Sequence, residues 1–117
     1  MITLPKPPPI NHLYGISCRS GKAIMYKTAR GKAWVEECLW LIKSQWKKRE
    51  PIKGNVGVYI KFYACMSSDN DGVIKPTLDV LEDARVFEND RQVDFIQIQR
   101  ITVKHRNQEK LEIEIQY

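Results

Sequence analysis

The segment DNDGVIKPTLDVLEDARVFEND, from Asp69 to Asp90, holds the residues of this chain best suited to chemistry. Asp69 and Asp71 are one residue apart, and on extended backbone alternate side chains leave the chain on one side, so both carboxylates can face one cation. Asp71 also sits where a helix is expected to begin, and the free N–H groups of a helix start favour an anion. Lys75 follows one helical turn later. Asp90 comes after the helix, where the chain enters its next strand. If the flanking strands are neighbours, the excursion is expected to return Asp90 beside the first two acids. Three carboxylates at one strand end repel one another unless a divalent cation sits among them. Mg²⁺ favours such oxygen ligands and completes its shell with water and phosphate. An ion held there would act as a Lewis acid on a phosphate and a source of activated water. Lys75 would neutralise charge building on the scissile phosphate or leaving oxygen. The same residues also admit a purely structural account: Asp71 as a helix cap, Lys75–Asp79 as an exposed ion pair, Asp90 as part of a polar turn.

The elements that must position these residues can be read from periodicity. MITLPKPPPI reads as an edge strand running into an extended proline segment. NHLYG and RSGKAIMYKTARGKA read as a basic loop punctuated by Gly15, Gly21 and Gly31. From about Thr28 to Lys48, Val35, Cys38, Leu39, Ile42 and Trp46 recur at helical spacing. Trp34, Trp40 and Trp46 fall every six residues, so they cannot share one helix face. NVGVYIKFY alternates as a half-buried strand, with Val56, Val58, Ile60 and Phe62 on one side. A second helix is expected from about Val73 to Ala84, with Ile74, Leu78 and Leu81 inward and Pro76 in its first turn, where a missing N–H costs nothing. QVDFIQIQRITVK reads as a long strand whose alternation slips near Ile101, and KLEIEIQY as a closing strand. The order β-α-β-α-β-β predicts an α+β fold: a single domain over residues 1–117, with a mixed sheet and helices on one face.

Composition, at 43% hydrophobic and 28% charged, is that of an ordinary globular domain. No apolar run approaches the length needed to span a membrane, no basic-then-apolar leader opens the chain, and no membrane partner is expected. Cys18, Cys38 and Cys65 are widely spaced, which favours a reduced, cytoplasmic setting over a disulfide framework or zinc site. Charge is divided unevenly. Residues 1–63 carry twelve Lys/Arg and three Glu, whereas residues 64–117 carry seven Lys/Arg and eleven Asp/Glu. That is either unevenly charged solvated surface or a cationic footprint for a polyanion beside an acidic pocket. Lys22, Lys27, Arg30 and Lys32 form the densest basic stretch able to meet phosphates. Lys47, Lys48 and Arg49 read as helix-end charge, and Tyr14 and Tyr26 as packing residues that could alternatively stack on splayed bases.

At these residues the sequence resembles the RusA family of Holliday junction resolvases, endodeoxyribonucleases common in phages and prophages. The pattern D-x-D-N-x-x-K-x-x-x-D-x-L is met by Asp69, Asp71, Lys75, Asp79 and Leu81. A following E-D-D-x-Q-V is met by Glu88, Asn89, Asp90, Gln92 and Val93, and an N-terminal P-P-x-x-N-x-x-Y by Pro8, Pro9, Asn11 and Tyr14. Gly72 and Asn89 depart from the pattern, standing where the family usually has Asn and Asp. The resemblance implies a homodimeric nuclease, dependent on Mg²⁺ or Mn²⁺ and on no organic cofactor, that places paired nicks in four-way DNA junctions. It further implies Asp69, Asp71 and Asp90 as metal ligands, Lys75 as a catalytic aid, and Asn11 and Tyr14 on the DNA side. The alternatives are a non-catalytic branched-DNA-binding protein and a metal-dependent nuclease acting on RNA or plain duplex.

Overall fold

In the computed structural model, residues 1–65 and 71–117 are described, with the backbone alone at Ile10, Asn11, Arg19 and Asp71. A four-stranded sheet carries the domain. Its strands are β1 (Ile2–Pro5), β4 (Val56–Ala64), β5 (Val93–Thr102) and β6 (Lys110–Gln116), in the order β1-β6-β4-β5. β6 runs antiparallel to β1 and β4, and β4 runs parallel to β5. The alternation that marks β4 has a direct cause: Val56, Val58, Ile60, Phe62 and Ala64 are all buried, together with Ile2, Leu4, Leu111 and Ile113 of the neighbouring strands. Residues of the other face are half-buried or exposed. There Tyr59 and Tyr63 donate hydrogen bonds to Gln116 and Glu112 of β6 at 2.8 and 2.6 Å.

Among the described residues, three helices accompany the sheet: α1 (Ile10–Leu13), α2 (Ala29–Gln45) and α3 (Asp71–Asp83). The mixed sheet and the order of its larger elements are those the periodicity implied. α2 begins at Thr28, whose hydroxyl accepts the Gly31 N–H at 3.1 Å while donating to the carbonyls of His12 and Leu13. Gly31 is needed there, because a Cβ would come within 2.6 Å of the Leu13 carbonyl oxygen. Trp34, Cys38 and Ile42 form the buried stripe of α2, and Trp34 donates to the Pro5 carbonyl at 3.0 Å. Trp46 packs at the margin, and Trp40 is exposed. At the far end of α2, the Gln45 amide takes the place of a strand partner for Thr3, accepting its N–H at 2.7 Å and donating to its carbonyl at 2.9 Å. The outer edge of β1 is thereby covered.

The structure departs from the periodicity reading in four places. The stretch read as a basic loop is an antiparallel ribbon, β2 (Tyr14–Arg19) with β3 (Lys22–Lys27), turning through Ser20 and Gly21. Both turn residues have positive φ, 51° and 74°, as a two-residue hairpin turn of the right twist requires. In α3 the buried side is Val73, Pro76, Thr77, Val80 and Leu81, so Ile74 and Leu78 flank the core instead of centring on it. Pro76 lies beyond the first turn, since the helix begins at Asp71. Its missing N–H leaves the Gly72 carbonyl without the usual helical donor. Finally, the ladder irregularity of β5 falls at Asp94, skipped between the pairs Val56↔Val93 and Gly57↔Phe95, whereas the register through Ile101 is regular. Ile101 simply faces the open side of the sheet.

Candidate active site

The approach to the acidic segment is fixed at the end of β4. Cys65 donates its N–H to the Glu109 carboxylate at 3.0 Å, and its carbonyl accepts from the Arg100 guanidinium. Lys6 bridges to the same Glu109 at 3.4 Å. Asp69 lies outside the described residues. Asp71 takes the first position of α3, where unpaired N–H groups and the helix dipole favour negative charge. Gly72 has open space around it: a Cβ there would meet nothing within 4 Å, so crowding does not exclude the asparagine of the usual pattern.

Lys75 stands one turn further along α3 and pairs with Asp79 at 3.6 Å, its side chain 67% exposed. An exposed pair of this kind stabilises by at most about 1 kcal/mol, so little holds the ammonium back from a phosphate. Tyr14, at the foot of the ribbon, reaches the same place. Burial, then the Asp79 charge and a hydrogen bond to that carboxylate, raise its pKa above the ordinary 10, while the Lys75 charge opposes them. Tyr14 therefore stays protonated through neutral pH and serves as a donor, not a base. The N-terminal motif and the helix motif, sixty residues apart in sequence, thus meet at Tyr14, Lys75 and Asp79. Periodicity had not linked them. Their shared membership of one motif set was the signal available.

Asp90 is placed differently from expectation. It opens a single 3₁₀ turn, Asp90–Gln92, ahead of β5. Its N–H is held by the Glu82 carboxylate at 3.0 Å, near the C-terminal end of α3. Because β4 and β5 are parallel, the intervening helix must carry the chain from the end of one strand to the start of the next. From Asp71 to Glu82 the helix rises about 16 Å. Asp90 thus does not return to the strand end that leads into Asp69 and Asp71, and convergence there is not what the parallel topology gives. Asn89 caps the turn, accepting the Arg91 N–H at 2.8 Å, the task an aspartate at that position would perform equally well. Gln92 is structural: its amide donates to the carbonyls of Ile52 and Gly54, both at 2.8 Å, and accepts the N–H groups of Glu88 and Asn89.

Among the residues expected to meet DNA, Asn11 lies in α1, Lys22 is exposed at the ribbon turn, and Lys27 is half-buried at its foot. Arg30 and Lys32 are exposed in the first turn of α2, which has no acidic residue. Cations at a helix N-terminus oppose its dipole, and a phosphate arriving there relieves both. Arg30 also contacts His12 Nδ1 at 3.0 Å. Cys18, Cys38 and Cys65 are free thiols, and burial pushes the Cys38 pKa up to about 12, so that thiol is inert. Among the described residues, no three His, Cys, Asp or Glu are grouped closely enough to hold a metal ion. No helix among them is long and apolar enough to cross a membrane.

These features define a small α+β domain with a mixed sheet, in which a tyrosine from a basic ribbon meets a lysine and carboxylate near the head of one helix. A family model described as endodeoxyribonuclease RusA matches residues 10–116, and the chain belongs to that family. No curated protein matches the chain.

Proposed function

We propose that this protein is a divalent-metal-dependent, structure-selective endodeoxyribonuclease that resolves four-way DNA junctions in the cytoplasm, acting as a homodimer that makes paired nicks. The observation that carries this reading is the meeting of Tyr14, Lys75 and Asp79 in a chain of the RusA endodeoxyribonuclease family. Asp69 and Asp71, one residue apart at the entry to α3, would hold Mg²⁺ or Mn²⁺. The donor set fits, since hard cations prefer carboxylate oxygens and the helix head offers no competing cation closer than Lys75 in sequence. Such an ion supplies positive charge to the phosphate and a source of activated water. Lys75, largely exposed, neutralises charge on the phosphate being cut. Asp79 and Tyr14 position Lys75, the carboxylate drawing the ammonium toward the helix and the phenol fixing the carboxylate. Asp90 enters the proposed set on its place in the motif alone, since within one protomer its backbone lies at the Glu82 end of α3. Lys22, Lys27, Arg30 and Lys32, with Asn11, hold the DNA backbone.

The test is incubation of the purified protein with a synthetic four-way junction, a linear duplex of the same sequence and an RNA duplex, with Mg²⁺ and with EDTA. The proposal expects junction cutting that requires the metal and exceeds linear cutting at least tenfold. Equal cutting of junction and linear duplex, or cutting of RNA, would favour a less selective nuclease. Binding without cutting in Mg²⁺ and Mn²⁺ would leave a non-catalytic junction binder.

A further inference from the structure

The β2–β3 ribbon forms its own two-stranded sheet, separate from the main one. Directly opposed residues of an antiparallel pair share a face. The register Ile16↔Met25 and Cys18↔Ala23 therefore lines one face with apolar and small side chains. Those side chains are in solvent: Ile16 is 73% and Met25 67% exposed. The opposite face carries Ile24 and Tyr26, both about half exposed, beside an open depression that they line with Ile16 and Ser17. A two-stranded ribbon this apolar has much to gain from a partner.

Two observations identify the partner. The first is charge. From Met1 to Val35 the basic residues are Lys6, Arg19, Lys22, Lys27, Arg30 and Lys32, and there is no acid. A second copy of the ribbon would bring like charges together, whereas a polyanion is complementary. The second is position. The Ile16/Met25 face continues into the pair Tyr14↔Lys27, and Tyr14 lies close enough to Asp79 and Lys75 to feel both charges, which pair with each other at 3.6 Å. Ile16 is two residues further along the same strand face, about 7 Å from that tyrosine.

We propose that Ile16 and Met25 form an apolar wedge that enters between unstacked bases of branched DNA, next to the phosphate to be cut. This rests on the reading of the protein as a nuclease for branched DNA. Apolar side chains enter a duplex only by separating a base step, and that step is already weakened at a branch point. The lysines and Arg30 bind phosphates of any DNA in a salt-dependent way. The wedge adds a contribution that depends on structure and hardly on salt. It thereby supplies the preference for a junction that charge alone cannot.

The test compares the full-length protein with the double variant Ile16→Ser/Met25→Ser, in Ca²⁺ without Mg²⁺, on a junction carrying 2-aminopurine at the branch point. Both positions are exposed, so the variant's circular dichroism and thermal midpoint are expected to match the parent. The parent should bind the junction more tightly than a linear duplex and raise the 2-aminopurine fluorescence. The variant should keep its affinity for linear duplex and its salt slope within about twofold, lose roughly tenfold in junction preference, and lose the fluorescence rise. Ile16→Leu/Met25→Leu should restore both. A variant with undiminished junction preference and fluorescence overturns the wedge, while the parent's own preference leaves the nuclease reading standing. A parent with no junction preference overturns both. A variant that sediments as a monomer where the parent is a dimer also overturns the wedge and assigns this face to a second copy.

Discussion

Asp71→Asn is expected to abolish junction cleavage while leaving the protein bound to its substrate. A metal-held phosphate gains several kcal/mol of transition-state stabilisation, and at 1.36 kcal/mol per factor of ten the loss is about a thousandfold or more in rate. Binding should survive or tighten, because under the proposed function the substitution removes a negative charge from beside the bound phosphate. Asp71 is the first residue of α3, where exchanging Asp for Asn forfeits only a helix-dipole contribution of about 1 kcal/mol or less, so the thermal midpoint should move by a few degrees at most. Gel-shift and cleavage assays on one preparation separate the two effects. If Asp71 served only to cap the helix, cutting would continue at the parent's rate.

Lys75→Met should lower the cleavage rate about a hundredfold, in keeping with the loss of one group that stabilises charge in the transition state. Junction affinity should change little by comparison, because Lys75 is one of 19 Lys and Arg residues in the chain. The stability change separates this role from a structural one. The Lys75–Asp79 contact spans 3.6 Å with the ammonium largely in solvent, a pair that stabilises by at most about 1 kcal/mol. A rate that falls a hundredfold without a matching fall in thermal midpoint therefore reports on chemistry. Lys75→Arg, which keeps the charge and changes its shape, should recover part of the loss. A Lys75→Met protein that cuts normally would reduce the pair to surface decoration.

The fold was legible in sequence where one side of an element is buried and the other is not. β4 shows this most clearly: its five inward residues are all buried, so its alternation is unbroken. The ribbon was misread for the converse reason. Neither of its faces is buried in the protomer, so Ile16 and Met25 on one side and Ile24 and Tyr26 on the other produce no alternation to detect. Only the Ser20–Gly21 dipeptide marked the turn. In α3 the inward stripe includes Pro76 and Thr77, residues that a hydrophobicity pattern does not count, and the expected face was rotated accordingly. The acids illustrate a different limit. Spacing says that Asp71 heads a helix, but only strand direction says where Asp90 arrives, and direction is set by long-range pairing. The parallel partnership of β4 with β5 carries Asp90 to Glu82. The meeting of Tyr14 with Asp79 is long-range too, and motif membership was its only trace in the sequence.

Strand-by-strand mapping of the products from a labelled four-way junction, incubated with the parent protein and Mg²⁺, is the most direct measurement. Two nicks placed symmetrically across the branch point, absent when EDTA replaces the metal, are what paired incision by a metal-dependent dimer produces. A bound junction whose four strands all stay whole in Mg²⁺ and in Mn²⁺ would contradict it, however well the chain fits its family.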